Sequence, residues 1–143
     1  ELKALILLEP ILQGEDILTE MEKRQQIKAA ISGIKDEKPK DENIYAEFAA
    51  FQISKKFAEQ MKASQLQLNL QKCPKNCSMQ IIKVSGAKTF PQNWSSIINL
   101  LNDYKNSQAI LVRDKPFWGQ LEYYESDEVI NPVIEFLKKV AQN

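Results

Sequence analysis

The stretch Leu2-Lys-Ala-Leu-Ile-Leu-Leu8 is almost continuously apolar and is stopped by Glu9-Pro10. A run this short and this apolar fits a strand buried on both faces, with a short buried helix as the competing reading. A strand of that kind needs cover above and below it, so the run is expected to add a central strand to a sheet packed against helices.

The next stretches carry helical signals. Over Glu15–Ile34, Glu15 and Asp16 suit the positive end of a helix dipole, and Ile27, Ile31 and Ile34 share a face, while the polar run Glu22–Gln26 leaves the helix partly exposed. Ile44–Met61 reads as a central helix: Ile44, Phe48, Phe51 and Ala58 line one side, and Ala46, Ala50, Ile53, Phe57 and Met61 line another. Between these two, residues 35–43 alternate in charge around Pro39 and read as a solvated loop.

Two hairpins are expected in the second half. Leu66-Gln-Leu-Asn-Leu-Gln71 alternates without a miss and predicts a half-buried strand, and Met79–Val84 predicts its antiparallel mate across Cys73-Pro-Lys-Asn-Cys77. Ala109–Val112 and Phe117–Tyr124 predict the second pair, with a turn at Asp114-Lys-Pro116. Helices are expected from Pro91 through Tyr104 and from an Asn131 cap with Pro132 in the first turn, with Val133, Phe136, Leu137 and Val140 on one apolar stripe. The expected class is therefore α+β: an antiparallel or mixed sheet built from two hairpins and covered by helices, in the order β-α-α-β-β-α-β-β-α, within one domain spanning 1–143. A thioredoxin-like α/β fold is the alternative.

Composition narrows the chemistry. The chain has 143 residues, a length at which one core can bury roughly 68–70% of the unfolded surface. Lys plus Arg and Asp plus Glu both total 19, so no net field gathers phosphates, and nucleic acid is not an expected partner. Histidine is absent, which removes the side chain that most readily shuttles protons near neutrality and most often ligates metals. No apolar run approaches the roughly 20 residues that cross a bilayer, so no integral membrane segment is expected. The start at Glu1 fits a processed or trimmed chain from which a signal or N-terminal anchor has been removed.

Three features could carry function. Cys73 and Cys77 flank a short turn, and facing strand positions there could meet the geometry of a disulfide that pins the hairpin tip, which implies an oxidising compartment. The spacing is similar to the cysteine-proline-two-residues-cysteine element of copper-chaperone thioredoxin-like proteins. That family also uses a histidine ligand, which this chain lacks, so its function is not carried over. The second feature is aromatic: alternation sends Phe117, Leu121 and Tyr123 one way and Trp118, Gln120, Glu122 and Tyr124 the other, leaving Trp118 and Tyr124 as recognition residues. Third, Glu122, Glu125, Asp127 and Glu128 crowd one region but match no calcium loop or paired-carboxylate spacing, and they are read as solvated. Asn76 and Asn93 each head a glycosylation tripeptide, and both are expected to stay unmodified.

The resulting expectation is a non-catalytic binding or assembly module located outside the cytoplasm. It would recognise a protein partner through Phe117, Trp118, Gln120 and Tyr124, and it would need no cofactor or metal. The alternative is a thiol-disulfide redox protein using Cys73 and Cys77.

Overall fold

The computed structural model describes residues 2–33, 41–48, 51–115 and 125–142. In chain order the elements are β1 (Ala4–Leu8), α1 (Gly14–Ser32), β2 (Ile44–Phe48), β3 (Phe51–Ser54), α2 (Lys55–Ala63) and α3 (Leu66–Leu70). They are followed by β4 (Ser78–Val84), a 3-10 turn (Gln92–Trp94), α4 (Ser95–Leu101), β5 (Gln108–Val112) and α5 (Asp127–Ala141). The fold is a mixture of helices and small sheets. It divides into two compact units, Glu1–Pro10 with Leu70–Asn143, and Ile11–Asn69.

The first unit is built on a three-stranded sheet in the order β1-β4-β5, with both pairings parallel. The central strand β4 is buried along nearly its whole length, and Met79, Ile81 and Ile82 are fully inaccessible. Pleating sends Gln80, Ile82 and Val84 to one face, where Ile82 and Val84 pack with Val112, Ile110 and α5's Val129 and Val133. Met79 and Ile81 point to the other face, which is sealed as well. α4 packs on β5, and Trp94, Ile97, Leu101 and Tyr104 are buried. Tyr104 donates its hydroxyl to the Leu70 carbonyl at 2.8 Å, and Lys75 Nζ lies 4.1 Å from the centre of its ring.

The second unit pairs β2 with β3 antiparallel and packs α1 against α2. Its buried apolar residues are Leu18, Phe48 and Ala58. Gly14 sets the approach of the two helices: its N–H donates to Ser64 O at 2.9 Å, and a Cβ there would stand 2.0 Å from the Met61 carbonyl oxygen. Tyr45 donates its hydroxyl to Glu22 of α1. That bond, which ionising the phenol would break, is the first cause holding the Tyr45 pKa above its ordinary value.

Several expectations fail for identifiable reasons. The 44–61 helix is a strand pair followed by a shorter helix: Ser54 caps α2 by accepting Phe57 N–H at 3.2 Å, and the β-branched and aromatic residues before it pair as β2 and β3. The alternating stretch Leu66–Gln71 is a helical turn, not a strand, because Leu66 and Leu70 also stand one turn apart, and leucine and glutamine favour helix. With that strand gone the first hairpin is gone, and β4 pairs in parallel with β1 and β5 instead of antiparallel with 66–71. The final helix starts at Asp127, five positions before the expected Pro132, which lies inside it. Ile27 and Ile31 of α1 do not form a buried face, being 59% and 83% exposed. β1, α1, β4 and β5 stand close to where the sequence places them. Residues 117–124, the second strand of the second expected hairpin, lie outside the described residues.

Two substitutions test this packing. Gly14→Ala is expected to lower the unfolding free energy by about 2 kcal/mol despite alanine's helix-propensity advantage of about 1 kcal/mol, because the opposing atom is a backbone carbonyl. An unchanged or raised urea midpoint would sink that account. Gln80 is fully buried, and its Nε2 donates to Pro132 O at 3.1 Å while Oε1 has no partner. Gln80→Met keeps the volume and removes the orphan acceptor, so its melting temperature should equal or exceed that of the parent, whereas Gln80→Ala should cost about 2 kcal/mol. A Gln80→Met variant as destabilised as Gln80→Ala would show that the amide contributes more than its single bond.

Candidate functional site

Parallel pairing brings the ends of three strands to one edge, where side chains far apart in sequence meet. Glu9 follows β1 in the left-handed region at φ 50°, a conformation uncommon for any residue with a Cβ. Its N–H continues the ladder to Ile82 O at 2.8 Å. Its carboxylate turns back to accept Val84 N–H and, at 2.8 Å, Lys83 Nζ. The side chain thus supplies the acceptor that β1 no longer provides once it ends, and the lysine balances its charge.

At the same edge Gly86, Arg113, Asp114 and Lys115 line an open hollow of about 570 Å³. Asp114 organises its rim: Oδ1 accepts Lys115 N–H at 2.7 Å, and Oδ2 accepts the Ser126 hydroxyl at 2.6 Å. Ser126 precedes α5, and its hydroxyl goes to Asp114 rather than capping the helix. The bond holds Ser126 at the rim of the hollow. Among the described residues the strand order β1-β4-β5 does not reverse, so these strands form no reversal point of the kind at which doubly wound sheets open a ligand crevice. Among the described residues no group of three His, Cys, Asp or Glu could hold a metal ion.

α5 carries apolar residues on two sides. Val129 and Phe136 are buried, whereas Ile130, Ile134 and Leu137 are 43%, 42% and 49% exposed at the i, i+4, i+7 spacing of a single stripe. Leu137 therefore faces outward and does not join the core stripe expected for it.

Cys73 is half-buried and Cys77 buried, and their sulfurs are not bonded to each other. They flank a turn in which Cys77 N–H donates to Pro74 O at 2.9 Å, and the chain continues directly into β4. A thioredoxin-like redox cysteine sits at a helix N-terminus that depresses its pKa. Here burial first, and then the charge of neighbouring Cys73, push the Cys77 thiol up.

Phe117, Trp118, Gln120 and Tyr124, the expected recognition residues, lie outside the described residues. The residues flanking their segment are tied together by the Ser126–Asp114 bond at the rim of the hollow. Sequence reasoning missed Glu9, Lys83, Asp114 and Ser126 because no local motif joins them. Ile130 and Ile134 were within its reach, since their spacing with Leu137 is visible in the chain.

Glu9→Ala should cost about 1–3 kcal/mol by leaving Val84 N–H and Lys83 unpaired, and Glu9→Gln, which keeps an acceptor, should lose less. Chemical denaturation of both variants at the parent's midpoint would mean that the carboxylate does not seal the strand end. Comparison with family models, with curated proteins and with solved structures found no match to this chain.

Proposed function

We propose that this chain is a non-catalytic binding or assembly module acting outside the cytoplasm, and that it recognises a protein partner. The observation that carries the reading is the outer stripe of α5: Ile130, Ile134 and Leu137 are exposed although the helix already has a separate buried side. Single exposed aliphatics are ordinary, but three in register along one helix form the kind of face a partner covers. Trp118 and Tyr124, with Phe117 and Gln120, are the further recognition residues, on the chemistry of aromatic side chains with a polar handle. The location rests on Cys73 and Cys77: a disulfide across their turn would fix the entry into β4 and would persist only in an oxidising compartment.

A photo-reactive residue at position 134 is expected to cross-link to a protein in the native source, and the cross-link should disappear with Leu137→Glu and weaken with Trp118→Ala. Thermal unfolding should stay unchanged in the Leu137→Glu variant. If Leu137→Glu leaves the cross-link intact, α5 is not the recognition surface. Non-reducing peptide mapping that finds both thiols free in the native protein would remove the support for an oxidising location.

A further inference from the structure

Resting on the reading of α5 as a recognition surface, we infer that its occupant is a second copy of this chain, whose α5 packs antiparallel across a two-fold axis. At 100° per residue, Ile130, Ile134 and Leu137 fall within about 60° of the helix surface, a seam narrow enough for one facing helix.

Charge then selects the partner. Asp127 and Lys138 border the stripe on the same flank, about 16 Å apart along the axis, at opposite ends of the helix. Both are exposed, and neither makes an ion pair among the described residues. An isologous interface requires one patch to complement itself, each residue meeting a different residue of the other copy. This patch does so: with the axis passing beside Val133 and Ile134, Ile130 meets Leu137 of the second copy, Ile134 lies at the axis, and Asp127 faces Lys138 twice. The helix dipoles also oppose in this arrangement. A parallel two-fold packing would instead carry this flank to the opposite side of the seam in the second copy, leaving Asp127 and Lys138 without partners across it.

The area sets the strength. Three half-exposed aliphatics cover far less than the ~800 Å² per partner of a standard interface, so the dimer is weak and forms only as the concentration rises. Its flanking ion pairs are solvated, so added salt weakens it.

Sedimentation velocity of the whole chain over a concentration series at low ionic strength tests the inference. The mass should rise from one chain toward two, and Ile134→Glu should remain monomeric throughout with an unchanged circular dichroism spectrum. Asp127→Lys and Lys138→Asp should each weaken association about tenfold, and the doubly swapped chain should recover most of it. A chain monomeric at every concentration, a dimer that survives Ile134→Glu, or a double swap no better than the single ones overturns the antiparallel pair. If the chain is monomeric but position 134 still cross-links to a different protein, the second copy is overturned and the recognition reading stands. If neither association is seen, both fail.

Discussion

The burial of β4 on both faces is the constraint on which the first unit depends. Each fully buried aliphatic on it contributes about 1.5–3 kcal/mol relative to an exposed position, and among the described residues no other strand is so completely enclosed. A strand that apolar needs a neighbour along each edge and cover above and below. β1 and β5 meet the first need, α5 covers one face, and the second face is equally dry. Parallel pairing follows from the long connections: the chain returns to the same end of the sheet before each new strand, as parallel pairing requires. That return is also what brings Glu9, Gly86 and Asp114 to a common edge.

What was legible in the sequence follows from how local each signal is. β1 and β4 could be read because a short, nearly continuous apolar run has few homes other than a buried strand. α1 could be read from its length and its acidic first turn. The misreadings fall where two periodicities fit the same residues. Leu66, Leu68 and Leu70 satisfy a strand's alternation, while Leu66 and Leu70 alone satisfy a helical turn, and five residues are too few to decide. Over 44–61 the error ran the other way: apolar residues dense enough to line two helical faces also suit a strand pair, and the deciding residue was the single cap Ser54. Strand direction was not legible, since it depends on pairing partners far apart in the chain, as Ala4 and Ser78 are.

The polar groups in the core show how the elements are held in register. On the α5 face of β4, Gln80 is the residue whose side chain reaches a carbonyl of the helix. Apolar packing alone leaves a helix free to slide or rotate by small amounts at little cost, whereas a directional bond selects one placement. Glu9 acts similarly at the strand end, where a left-handed backbone is the cost of turning a carboxylate onto Val84 N–H.

α5 joins the folding argument to the functional one. A helix covering one small sheet needs only one apolar side, and Val129, Val133 and Phe136 provide it. Folding therefore does not account for Ile130, Ile134 and Leu137, whose exposure carries a solubility cost with no gain in core packing. A contiguous pattern at helical spacing, bordered by opposite charges at its two ends, is what an interface needs and a core does not. Reading α5 as a single core stripe merged two faces that the structure separates, and the face left over is the one that bears on function.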